Sequence, residues 1–148
     1  MRDRDSVILE SIYSAILENN GDIKIGVNVR SKKQDFADQI INGQKTIETR
    51  NSNSLKPYIG KRIGIVKTGK GRALLIGYAT IGEPKIYNNE EEFDADYDKH
   101  LVSADDKDFY IKKGKIKYGY PITGVEVLDE PKEIHSHGII SRKINSQI

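Results

Sequence analysis

The chain contains no cysteine, which excludes disulfides and thiolate metal sites. It has no run of about 18 apolar residues, the length a membrane-spanning helix needs. The opening Met1-Arg2-Asp3-Arg4-Asp5 lacks the basic-then-apolar layout of a secretory signal. No internal repeat and no low-complexity segment interrupts it. Gly69-Lys70-Gly71-Arg72 lacks the Gly-x-x-x-x-Gly-Lys-Ser/Thr pattern of a phosphate loop and precedes a strand, so it reads as a hairpin turn. His135 and His137 share one side of an extended segment, but no cysteine or evident carboxylate completes a ligand set, and they read as an exposed pair. These absences point to a cytoplasmic protein with no membrane partner, no metal site and no cofactor.

What is present is a polar, globular composition: 148 residues, 36% hydrophobic and 31% charged. One domain covering 1–148 is expected, long enough to bury a core. The net charge of +2 conceals an asymmetry. Asp22 to Arg72 carries 12 Lys/Arg against 4 Asp/Glu, and Asn88 to Asp108 carries 2 Lys against 9 Asp/Glu. Lys112, Lys113, Lys115 and Lys117 then form a second basic run. Either a surface attracts phosphates, or the two regions neutralise one another in the fold.

Periodicity supplies the elements. Ser6–Asn19 reads as an amphipathic helix, with Ile8, Ile12, Ala15 and Ile16 at helical spacing. Lys24–Arg30 alternates as a half-buried strand. Lys32–Asn42 is expected to be helical, with Ser31 and Gln34 spaced as a capping box and Gly43 at the C-terminal turn. Arg62–Thr68 and Ala73–Ile81 read as strands joined by a hairpin, and Lys85–Tyr87 as the start of another. Asn89–Leu101 reads as a helix capped by Asn88 or Asn89 and anchored by Phe93 and Tyr97. Ala104–Ile111 reads as a second short helix, Tyr120–Leu128 as a strand, and Pro131–Ile134 as an edge pairing. His100 is expected at the surface, and Asn145–Ile148 is expected to fray. Several short strands with inserted helices indicate an α+β domain.

The densest chemistry lies in Gly43-Gln44-Lys45-Thr46-Ile47-Glu48-Thr49-Arg50. Strand alternation puts Thr46, Glu48 and Arg50 on one face and Ile47 on the other, with Lys45 leaning over the polar face. By spacing alone this reads as a solvated surface strand, whose ion pairs contribute little. In a cleft, Lys45 becomes a candidate base or anion ligand, Glu48 a partner for a cytosine amine, and Arg50 a fork for phosphate or a base. Tyr118 and Tyr120 flank Gly119, so they are candidates either for stacking on a base or for core packing. Gly119 would permit close approach of a ligand.

From about Val29 to Glu133 the chain resembles the ASCH domain family, relatives of the PUA fold. The resemblance rests on the helix followed by Gly-x-Lys-Thr-x-Glu-x-Arg at Gly43–Arg50. Weaker supports are Lys56–Arg62, Gly82-Glu83-Pro84, the acidic helical insertion and Tyr118-Gly119-Tyr120. It implies a small PUA-like β-barrel with flanking and inserted helices. It also implies a cleft lined by Lys45, Thr46, Glu48 and Arg50 that binds RNA or a nucleotide-derived ligand. Some family members are amidohydrolases that deacetylate N4-acetylcytidine, with a lysine at the position of Lys45 activating a threonine. That threonine position falls on Glu48 here, and Thr46 lies two residues earlier. The resemblance therefore implies Lys45, Thr46 and Glu48 as catalytic candidates, and hydrolysis of a modified nucleoside or RNA as the alternative to binding. A third reading is a protein-interaction module that docks through Ser6–Asn19 and Glu90–Asp98.

Overall fold

The computed structural model describes residues 23–144. The expected helix Ser6–Asn19 and the terminus Asn145–Ile148 lie outside the described residues. Among the described residues, a seven-stranded mixed sheet curls into a half-barrel with three α-helices. Its strands are β1 (Ile25–Arg30), β2 (Ile47–Arg50), β3 (Arg62–Thr68), β4 (Leu74–Ile81), β5 (Lys85–Tyr87), β6 (Lys117–Glu133) and β7 (Ser141–Lys143). The order is β2-β6-β4-β3-β1-β7, with β5 also paired to β6. Among the described strands, β1 and β3 run parallel and the other strand pairs are antiparallel.

The expected Tyr120–Leu128 strand and Pro131–Ile134 edge are one strand of 17 residues, β6. Its first residues pair with both β5 and β2, and the rest from Ile122 to Glu133 with β4. The register against β4 shifts twice, and such irregularities bend a strand. A periodicity reading splits β6 at Asp129-Glu130-Pro131, yet these residues are exposed and the ladder resumes beyond them.

Helix α1 (Phe36–Ile41) lies inside the half-barrel with Phe36, Ala37 and Ile40 buried. It is shorter than the expected Lys32–Asn42. Ser31 does not form the capping box: its Oγ accepts from Ala37 N at 3.1 Å, six residues on, so the intervening chain stays non-helical. Gly43 adopts φ +85°, the left-handed turn for which its missing Cβ suits it.

The acidic insertion forms α2 (Glu90–Ala95) and α3 (Tyr97–His100), not one helix. Asn89 caps α2 by accepting from Glu92 N, as the sequence suggests. The break falls at Asp96, whose carboxylate accepts from Tyr87 Oη at 2.6 Å and Lys85 Nζ at 3.0 Å. Phe93 anchors the insertion, fully buried, but Tyr97 is half exposed. His100 takes the second anchoring position, stacked on Phe93 at 3.9 Å between ring centres. Its expected surface location is therefore reversed. Residues 104–111 form turns rather than a helix, because Asp106 Oδ1 accepts from Asp108 N and Phe109 N and holds a tight bend. Among the described residues, no helix is long and apolar enough to cross a membrane.

Candidate functional site

The site forms where the half-barrel fails to close. Strand β2 is one edge of the sheet, and Arg50 at its end reaches across the seam to donate to the Asn28 carbonyl of β1 at 2.6 Å. A side chain bridges what a closed barrel would bridge with a ladder. The seam opens into a cavity of about 420 Å³ lined by residues including Phe36, Lys45, Glu48, Thr49, Arg50, Phe109 and Lys117.

Lys45 enters this cavity because the turn at Gly43 ends α1 and its own N–H is held by the Gln39 carbonyl. Its side chain is only 2% exposed. The ammonium donates to the His100 carbonyl, lies 3.7 Å from Glu48 Oε1 and sits 4.5 Å from the Phe36 ring centre. Burial lowers its pKa; the Glu48 charge opposes that shift and Arg50 reinforces it. Glu48 is fully engaged: Oε1 also accepts from Thr49 N at 3.1 Å, and Oε2 from Arg50 at 3.2 Å.

Lys117 approaches from the start of β6. It too is 2% exposed, and it donates to Asn51 Oδ1 at 2.8 Å. Burial pushes its pKa down to about 8. Behind Lys45, His100 Nδ1 accepts from Val102 N at 2.9 Å. The proton then belongs on Nε2, which donates to the Phe93 carbonyl at 2.7 Å. Burial lowers its pKa and keeps the ring neutral. The insertion thus presents a fixed carbonyl to Lys45.

The structure brings Lys45, Glu48 and Arg50 together, as the motif suggests. It leaves Thr46 out. Thr46 is exposed and outside the cavity lining; its backbone bonds to Lys99 and Ile122. The threonine that lines the cavity is Thr49. Strict alternation misses this because β2 begins only at Ile47. Tyr118 and Tyr120 also lie outside the lining. Tyr120 is fully buried in the core and Tyr118 packs against it, their rings stacked 6.4 Å apart. Gly119 makes room for the Tyr87 ring rather than for a ligand, since a Cβ there would lie 2.6 Å from Tyr87 Cε2. The aromatic residues of the cavity are Phe36 and Phe109, packed edge to face at 5.5 Å.

Lys117, Phe109, Asn28 and Arg142 also line the cavity and carried no individual signal in the sequence. Lys117 looks like Lys112, Lys113 and Lys115, all exposed; only its place at the start of β6 separates it. His135 and His137 are both exposed.

No protein-family model and no curated protein matches the chain. Solved structures do. A serine-to-alanine variant of an ASCH protein from Zymomonas mobilis superimposes with a TM-score of 0.64 at 15% identity, over 82% of this chain and 88% of that one. A tyrosine-to-phenylalanine variant from the same organism gives 0.60 at 18% identity, over 74% and 75%. The Zymomonas mobilis ASCH structure without a stated substitution gives 0.55 at 19%, over 68% and 66%. Together with the curled sheet and its inserted helices, these likenesses show that the fold of this chain is the small α+β, PUA-like ASCH domain fold.

Proposed function

We propose that the protein binds RNA or a nucleotide-derived ligand in the cavity at the β1–β2 seam. The observation that carries this reading is the set of buried cations around one carboxylate: Lys45 and Lys117 are each 2% exposed, Arg50 stands at the mouth, and Glu48 serves both Lys45 and Arg50. Desolvated cations are costly unless they face an anion or strong acceptors. The cavity volume is that of a small-molecule site. Phe36 and Phe109 supply apolar wall, and the Glu48 carboxylate suits an exocyclic amine. Titration with short single-stranded RNA and with mononucleotides tests the reading. Binding that falls as salt rises and is lost in Lys45→Met supports it. No binding of either at low ionic strength overturns it.

A second reading is hydrolysis of a modified nucleoside, favoured by one feature: Lys45, its pKa lowered by burial, lies 3.7 Å from Glu48. A lysine inclined to lose its proton is suited to general-base work. Glu48 occupies the position where the resembling amidohydrolases carry threonine, so attack would come from water activated by the pair. Release of acetate from N4-acetylcytidine, abolished by Lys45→Met, is the corresponding assay.

A further inference from the structure

Among the described residues, the two buried lysines at the seam differ: Lys45 has an ion-pair partner and Lys117 has none. Lys45 and Arg50 share Glu48. The Lys117 ammonium has the neutral Asn51 amide oxygen and no carboxylate within ion-pair distance. Glu48 acts on it electrostatically but forms its ion pairs with Lys45 and Arg50. Asp106 is buried and influences both lysines electrostatically. Its Oδ1 is taken by two backbone N–H groups, its Oδ2 is buried without a hydrogen-bond partner, and it forms no ion pair with either lysine. Arg142 is likewise turned to neutral partners, Asn28 Oδ1 and the Ser136 carbonyl. Along the lining, Arg30, Lys45, Arg50, Lys117 and Arg142 stand against Glu48 and Asp108, and the buried Asp106 acts on both lysines. That leaves an excess of two positive charges about the cavity.

An ammonium ion taken out of water and given a single neutral acceptor is a costly feature of a folded protein. A ligand that brings an anion to it offsets that cost on binding. A carboxylate supplies one charge, and a phosphate monoester supplies up to two with three acceptor oxygens. The latter matches the excess better. We infer that the cavity holds a phosphate group of its ligand against Lys117, so that the ligand is a nucleotide rather than a bare nucleoside. This rests on the proposed nucleotide-binding reading and specifies its chemistry. The phosphate is the terminal monoester of a mononucleotide, which offsets up to two charges, or a backbone diester of RNA, which offsets one.

Binding has a proton signature. The free Lys117 loses its proton near pH 8. Glu48 and Asp106 hold that value up, and Lys45 and Lys112 push it down with burial. An incoming phosphate favours the charged form, so the complex takes up a proton when formed near that pH.

The test is calorimetric titration of the full chain with cytidine, cytidine monophosphate, a cytidine trinucleotide lacking terminal phosphates, and inorganic pyrophosphate. Cytidine monophosphate is expected to bind roughly tenfold or more tightly than cytidine, with proton uptake read from the dependence of the heat on buffer. Lys117→Met is expected to erase both the preference and the uptake, and Lys117→Arg to retain the preference. Asn51→Asp gives Lys117 an internal counter-ion and is expected to weaken the monophosphate selectively, so the inference does not depend on one variant folding. A trinucleotide that binds more tightly than the monophosphate, with the same Lys117 dependence, assigns the phosphate to an RNA backbone. Equal affinity for cytidine and its monophosphate, or a preference that survives Lys117→Met, overturns the inference and leaves nucleoside binding standing. Pyrophosphate binding that needs Lys117, with no binding of any nucleoside, nucleotide or RNA, retains the anion subsite and overturns the nucleotide reading. Absence of all binding overturns both.

Discussion

Lys45 donates its ammonium to the main-chain carbonyl of His100, 55 residues further along the chain. This contact ties the motif after α1 to the acidic insertion. The insertion therefore supports the cavity from outside its lining: it fixes the acceptor that holds Lys45 in an almost fully buried position.

The carboxylate of Glu48 should matter to stability as well as binding. Glu48→Gln leaves Lys45 and Arg50 buried without their shared counter-charge, and a loss of roughly 3 kcal/mol is expected. Urea denaturation of the variant and wild type measures it. An unchanged midpoint with an unchanged slope would show that the carboxylate carries no such role.

Lys117 predicts an alkaline gain in stability. Its folded pKa of about 8 lies below its ordinary value of 10.5. Between these values the unfolded chain holds a proton that the folded one has released, so unfolding free energy rises with pH. From neutral pH to about pH 9.5 the gain from this one group is about 2 kcal/mol. Beyond that, the phenols of Tyr78, Tyr87 and Tyr120, raised first by burial, begin to oppose it. Lys45 is shifted in the same direction, so the difference between wild type and Lys117→Met isolates Lys117. Parallel pH profiles for the two proteins would sink the prediction.

His100 acts at the other end of the scale. Its pKa is lowered from 6.5, chiefly by burial, and Nδ1 is occupied as an acceptor. As pH falls through 6.5 the unfolded chain gains a proton that the folded chain refuses. Stability then declines until the lowered folded value is reached. Titration of the His100 ring by NMR should show an unprotonated Nδ1 well below pH 6.5, and His100→Gln should flatten the acid slope of stability. A ring that titrates at or above its ordinary value would contradict the assignment.

Gly119 supports the site through packing. In Gly119→Ala the new Cβ would meet Tyr87 at 2.6 Å and Ile47 at 3.0 Å. Tyr87 cannot yield easily, because its hydroxyl is held by Asp96 and its ring packs edge to face on Phe93. Overpacking of this kind costs about 2 kcal/mol, and a thermal melt lowered by several degrees is the expected reading. A variant as stable as wild type would place the free space elsewhere.

The two threonines of the motif should separate in the hydrolase assay. Thr46 is exposed and outside the cavity, whereas Thr49 is buried within its lining. If acetate is released from N4-acetylcytidine, Thr46→Ala should retain the rate, while Lys45→Met and Glu48→Gln should abolish it. Turnover lost in Thr46→Ala alone would return the hydroxyl role to Thr46.

By itself the sequence determined the locally encoded features. The i,i+4 apolar pairs Phe36–Ile40 and Ala37–Ile41 marked the inward face of α1, on which Ile41 alone is only half-buried, and Gly43 marked its end. Asn89 marked the cap of α2, and the glycines at 69 and 71 marked the β3–β4 hairpin. The six residues Lys45 to Arg50 also marked Lys45, Glu48 and Arg50 as a unit, because residues so close in sequence remain neighbours in any compact fold. Only the tertiary structure decided which charges are buried. Lys117 and Lys115 are chemically identical and two residues apart; one is enclosed by the seam and the other is exposed, because β6 begins between them and carries the chain against β2. Likewise, nothing local distinguishes His100 from a surface histidine until Phe93, Tyr87 and the Val102 N–H enclose it. Burial arises from contacts between residues distant in sequence, and it sets the pKa values and the unmatched charge of this cavity.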